Sequence, residues 1–518
     1  MINPEAENPI KEDSLKKRYF HKLSANLVGL GISMITQAII PRTLGPKAYG
    51  DFNFLTNFFN EVVRFLDMGT STAFYTKLSQ RQKDTGLVLF YLYFTIIFST
   101  IILIFVILTH ATSTHTRLWP DQSLIYIYMT AIWGILTWLV QVFNKVTDAR
   151  GLTVPSEISR MLQKLIGLLI IVLLFITNNL NLTTLFFYTY VISFFLCIAF
   201  VWVLKKNNYF LGFELKLPFE KIKAYMKEFY YYCNPLFVYT LIAMIVGILD
   251  TWILQYFAGS VQQGFFGLSY QIGALCFVFT SAMTPLITRE FSVAFSKNDL
   301  SGMRRLFRQH IPLLYSIAAF FSCFIAIQAD KVIYIFGGNK YKEAEFAVTV
   351  MAFFPIHQTY GQLSGSVFFA TEQTAMYRNI GITFLLIGLP VTFFMVAPEK
   401  YYGLNAGSSG LAIKMVVLQI IAVNVQLFYN SRLLGFAFWK YFLHQIICIG
   451  YLLLIAFISM FVVDSMPHFN NNIILKFLFS GIIYTSTVFI TGYNLPLVFG
   501  LKKEDLQSVV GSLLALRK

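Results

Sequence analysis

Apolar stretches of membrane-crossing length alternate along this chain with short polar breaks rich in Gly, Pro and Asn. A bilayer crossing takes roughly 20 helical residues. Hydropathy and these breakers predict fourteen such helices, at 22–41, 48–70, 85–109, 121–143, 160–178, 181–204, 230–257, 262–287, 309–329, 344–370, 379–397, 408–430, 440–463 and 473–493. PRTLGPKAYG (41–50) and ITNNLN (176–181) are typical junctions, and the longest polar stretches, 205–229 and 288–308, are rich in Lys and Arg. The predicted class is an all-α polytopic membrane protein.

The pattern repeats. A shift of 214 residues carries LGPKAYGDF (44–52) onto AGSVQQGFF (258–266), superposing Gly45 on Gly259, Gly50 on Gly264 and Phe52 on Phe266. TDARGLTVPSEISR (147–160) and FATEQTAMYRN (369–379) occupy equivalent inner turns after the fourth and tenth helices. This predicts two pseudo-symmetric six-helix lobes, 22–204 and 230–432, joined by a basic linker at 205–229. A segment 1–21 precedes them; two added helices (433–495) and a tail (496–518) follow. Repeats of this kind are typical of secondary transporters, whose substrate site lies between them.

Composition agrees and adds an orientation. The 518 residues are 57% hydrophobic and 13% charged, with mean hydropathy +0.64, against roughly 25% charged in a soluble domain. That excludes a cytosolic enzyme, a disulfide scaffold and a disordered tail protein. The five cysteines lie in or beside apolar runs without CxxC spacing, and so read as packing residues. The first twenty residues lack an apolar core, so no signal peptide is expected. An even number of spans with both ends cytoplasmic puts 30 Lys and Arg inside and seven outside. The net charge of +15 is then a cytoplasmic surplus facing anionic headgroups, with no nucleic-acid partner expected.

A charge in mid-membrane costs roughly 2.5–3.5 kcal/mol on insertion scales, so each one needs a reason. Asn53, Asn57, Asn60, Glu61, Arg64, Asp67 and Ser71 recur at three- and four-residue steps and share one helix face. Two readings stand: a ladder of Glu61–Arg64–Asp67 pairs, or the wall of a wet cavity. Asn26, Ser33 and Gln37 form a weaker stripe. Asp250, with no base at helical spacing, pairs across helices or titrates, and Lys414 either snorkels or faces inward. His357 reads as an interhelical hydrogen-bond donor, and Pro235, Pro285 and Pro390 as kinks. GxxxxGK, HExxH and GxSxG are absent, so no enzyme and no metal site are expected.

LSANLVGLGISMITQAIIPRTLGPKAYGDFNFL with FLDMGTSTAFYTKLSQ (65–80), then KVIYIFGGNKYKEAEFAVTVMAFFPI (331–356) and FFATEQTAMYRN (368–379), resembles the polysaccharide transporter family over 16–435. Its most specific element is Arg42, Leu44, Gly45, Tyr49 and Gly50. That family belongs to the superfamily of multidrug, oligosaccharidyl-lipid and polysaccharide exporters. The resemblance implies an inner-membrane flippase for undecaprenyl-diphosphate-linked oligosaccharide, working by alternating access in O-antigen, capsule or exopolysaccharide assembly. The arginine-rich first helix of the related lipid II flippases is missing here. On this reading Arg64, with Arg42 and Lys414, would meet the diphosphate, since Arg offers a bidentate fork. Gln37, Asn57 and Asn60 would contact sugar, and Glu61, Asp67 and Asp250 would couple transport to an H+ or Na+ gradient. No other cofactor is expected; partners are the lipid-linked glycan, membrane lipids and other glycan-assembly proteins. The alternatives are a cation-coupled exporter of small amphiphiles and a membrane glycan polymerase or ligase.

Overall fold

The computed structural model describes residues 15–82, 84–207, 209, 217–277, 283–466 and 472–500, without the side chains of 15–27, 235, 236, 285 and 286. The side chains of Asn26 and Pro235 and the tail beyond 500 therefore lie outside the described residues. Among those described, all regular structure is helical.

The chain forms two compact units, each described separately: residues 1–43 with 55–244, and residues 44–54 with 245–518. The first holds most of α1 (Leu15–Asp67), then α2 (Thr70–Gln80), α3 (Thr85–Ala111), α4 (His115–Leu118), α5 (Leu124–Ala149), α6 (Thr153–Ile176), α7 (Leu182–Lys206) and the start of α8 (Phe219–Leu275). The second holds the rest of α8, with α9 (Thr284–Ser296), α10 (Leu300–Ile327), α11 (Ala329–Phe336), α12 (Glu345–Met351), α13 (Phe354–Ala370), α14 (Thr374–Val396), α15 (Gly407–Leu434), α16 (Phe438–Asp464) and α17 (Ile473–Asn494). The division thus falls inside α8, where the sequence places it at the basic linker.

Among the described residues, ten helices are long and apolar enough to cross a membrane; with the composition, this makes a multi-pass membrane protein. The other predicted spans take a different form. The first and second are two segments of α1, broken only at Gly45 (φ 75°, ψ 172°), and the seventh and eighth are two segments of α8, broken at Gly259 (φ 78°, ψ −179°). Only glycine adopts this backbone region readily, so one residue does the work of an expected loop. The tenth is split into α12 and α13, and Pro355 starts α13 where its missing N–H costs nothing. Pro285 likewise sits in the first turn of α9 and does not kink a helix, whereas Pro390 lies inside α14.

The repeat is present in the backbone. Gly45 and Gly259 share their dihedral angles. The inner turns match as well: Leu152 N–H donates to the Thr147 carbonyl (2.9 Å) and Gln373 N–H to that of Phe368 (2.8 Å). Between them Gly151 and Glu372 take positive φ, closing both helices with the same six-to-one bond.

Stacked rings fill unit 1, with Phe74 on Tyr91 (4.3 Å), Tyr91 on Phe94 (5.7 Å) and Trp138 edge-on. In unit 2 the core is Phe307, Tyr315, Tyr360, Leu363, Val423, Cys448 and Leu452.

Candidate functional site

The second segment of α1 has two unlike faces. Phe54, Leu55, Phe58 and Phe59 are buried, while Asn60 and Arg64, one turn apart, are exposed. A charged side chain facing lipid would cost roughly 2.5–3.5 kcal/mol on insertion scales. Arg64 Nη1 donates to Glu61 Oε1 at 2.7 Å; the arginine side chain is 66% exposed and the glutamate 9%. The rest of the guanidinium fork is open to an anion. Glu61 Oε2 is buried with no hydrogen-bond partner. Asn57 is half-buried beside them.

Asp67 does not continue the ladder. It accepts from the Tyr91 hydroxyl (2.8 Å), Ser71 N–H (3.0 Å) and the Ser71 hydroxyl (2.9 Å). The cause is local: α1 ends at Asp67, Gly69 turns the chain in the left-handed region, and the carboxylate meets the free N–H groups at the start of α2. Of the expected pairs, only Glu61–Arg64 forms. Gln37 is half-buried and Arg42 exposed on the first segment of α1.

Unit 2 holds a second polar cluster. Lys414 Nζ lies 2.5 Å from Asp250 Oδ2, and the Thr392 hydroxyl donates to Oδ1 at 2.6 Å. A methyl group on Gly388 would lie 2.9 Å from Lys414 Cε, so that glycine makes room for the lysine stem. Lys414 does not snorkel; it is only 6% exposed. Between the neutral residues, Gln419 donates to Gln358 (3.0 Å) and Asn424 pairs with Gln445.

Sequence spacing missed Thr392, Tyr91 and Gly388, because their partners lie on other helices. His357 departs from expectation too. It is buried against Tyr315, ring centroids 6.1 Å apart, and its Nδ1 has no hydrogen-bond partner. Lys476, another charge within a predicted span, joins Lys331 on Asp464 (3.3 and 3.6 Å).

In unit 2, segment 44–54 meets the corresponding stretch of α8 with pseudo-twofold symmetry. A methyl on Gly50 would lie 1.8 Å from the Ser260 carbonyl oxygen, and one on Gly264 would lie 2.1 Å from that of Pro46. Both pairs are related by the 214-residue shift. Tyr49 donates to Gln271 Oε1 (2.6 Å) and packs edge-on to Tyr341.

Long apolar helices, an internal repeat and charges within predicted spans together define a polytopic all-α membrane protein. The family model described as polysaccharide biosynthesis protein matches residues 15–290, more than half of the chain, and the protein belongs to that family. Its fold is that of lipid II flippase MurJ in an inward closed conformation (TM-score 0.64, 14% identity, covering 93% of this chain and 99% of that one). It is likewise that of an inward-facing multidrug resistance MATE family transporter of the MOP superfamily (0.61, 16%, 80% and 98%). A MOP superfamily transporter from Pyrococcus furiosus also matches (0.53, 16%, 83% and 99%). A search of curated protein sequences finds none that matches.

Proposed function

We propose that the protein is a flippase moving an undecaprenyl-diphosphate-linked oligosaccharide from the cytoplasmic to the outer leaflet of the bacterial inner membrane. The product would feed O-antigen, capsule or exopolysaccharide assembly. Membership in the polysaccharide biosynthesis protein family carries this reading. The exposed Arg64 supports it, because a diphosphate leaving water needs a charge-assisted donor. Arg64 is assigned to the diphosphate with Arg42 as a second cation, and Asn57, Asn60 and Gln37 to the sugars. Lys414 would have to leave Asp250 to meet an anion. We therefore assign that pair, with Glu61, to coupling with an H+ or Na+ gradient, and Asp67 to holding α1, α2 and α3 together. The glycan crosses by alternating access, with no covalent step.

The fold shared with a multidrug transporter favours a second reading, cation-driven export of small amphiphiles. A deletion strain separates the two. The flippase reading expects loss of surface glycan with unchanged drug sensitivity, restored by the wild-type gene and not by Arg64→Ala at equal protein level. Intact glycan together with drug hypersensitivity would overturn it.

A further inference from the structure

Unit 1 contains a second feature, remote in chemistry from the polar stripe. A cavity of about 800 Å³ lies among α2, α3 and the first turns of α8, within the roughly 300–1,000 Å³ usual for a ligand pocket. Its walls are hydrocarbon: Phe90, Phe94, Phe229 and Phe237 line it, while Ile97 and Met226 at its lips are 58% and 60% exposed. Such a groove does not suit a sugar or an ion.

Hydropathy predicts the seventh span at 230–257, so Lys223, Tyr225 and Lys227 lie in the basic stretch before it, where interfacial Tyr and Lys concentrate. Lys77 and Arg81 are consumed by Glu228, at 3.0 and 2.7 Å, and Asp84 accepts from Tyr225. Lys223 and Lys227, one turn apart, form the helix stripe beside Ile222, Met226 and Tyr230, and neither has an ion-pair partner among the described residues. Two lysines with no ion-pair partner among the described residues thus adjoin the groove-lining Ile222 and Met226 along α8.

We propose that this groove holds one hydrocarbon chain of an anionic phospholipid of the surrounding bilayer, with its phosphate between Lys223 and Lys227. Native mass spectrometry of the full-length protein in mild detergent, titrated with phosphatidylglycerol and with phosphatidylcholine of identical chains, tests it. Wild type should bind phosphatidylglycerol roughly thirtyfold more tightly, the preference that two lysines near an anionic headgroup give. Lys223→Gln with Lys227→Gln, both surface changes, should equalise the two lipids without abolishing either adduct. Ile97→Trp with Met226→Trp, which fills the groove from its lips, should remove both adducts while the gel-filtration profile is kept. Equal binding by wild type, adducts undiminished by the tryptophans, or displacement of phosphatidylglycerol by equimolar undecaprenyl phosphate would overturn the proposal.

Discussion

Lys414 and Asp250 are opposite charges held 2.5 Å apart on neighbouring helices, with a threonine hydroxyl on the free carboxylate oxygen. Their attraction offsets the desolvation of both, so removing one partner leaves a buried charge with no counterion; such a change costs about 3–5 kcal/mol. Lys414→Met and Asp250→Asn should each lower the thermal midpoint in detergent sharply, and the double variant should recover most of the loss. Glu228 carries a prediction outside the membrane. Burial raises its pKa, but hydrogen bonds and charge from Arg81 and Lys77 outweigh this, leaving it below the ordinary value of 4.5. A carboxylate depressed on folding stabilises above its unfolded pKa and loses that stability as pH falls through its folded pKa. The midpoint gap between wild type and Glu228→Gln should therefore hold steady from pH 7 to about 5 and close below the ordinary carboxylate range.

At the scale of elements, four glycines fix the breaks and crossings of α1 and α8. Gly50 and Gly264 are needed for space, because a methyl at either would drive into a carbonyl of the facing segment. Gly50→Ala and Gly264→Ala should destabilise by about 1–3 kcal/mol, the range for overpacking. Gly259 has open space around its missing side chain but a backbone only glycine tolerates, so Gly259→Ala should cost about 1–3 kcal/mol through strain alone. Gly31 and Gly450 have neither constraint, and alanine there should stabilise by about 0.5–1 kcal/mol. One set of thermal melts checks all five. These glycines were legible in the sequence because Gly45 and Gly259 punctuate apolar runs at a fixed shift. Their geometry was not: hydropathy sees an interruption and cannot tell a loop from one residue in an unusual conformation.

For the whole molecule, helical class and membrane insertion follow from composition alone, since 57% hydrophobic residues in helix-length runs have nowhere else to go. The stripe from Asn57 to Arg64 was legible too, because helical periodicity within one segment decides which residues share a face. Partners on different helices were hidden. Asp250 and Lys414 are 164 residues apart, and no local pattern links them; Asp67, at a helix end, bonds to the next helix instead of the expected arginine. The charge excess supplies an orientation that the helices alone do not. Under the proposed function, the lipid-linked substrate would enter on the side where Lys and Arg are dense. The account therefore turns on net movement of that substrate. The most direct test is reconstitution of purified protein into liposomes carrying undecaprenyl-diphosphate oligosaccharide in the outer leaflet, following its loss from reach of an external, membrane-impermeant glycosidase. The wild-type protein should move the lipid well above the rate of empty liposomes, and Arg64→Ala should fall to that background. Wild-type movement no faster than empty liposomes, or full activity in Arg64→Ala, would contradict the account.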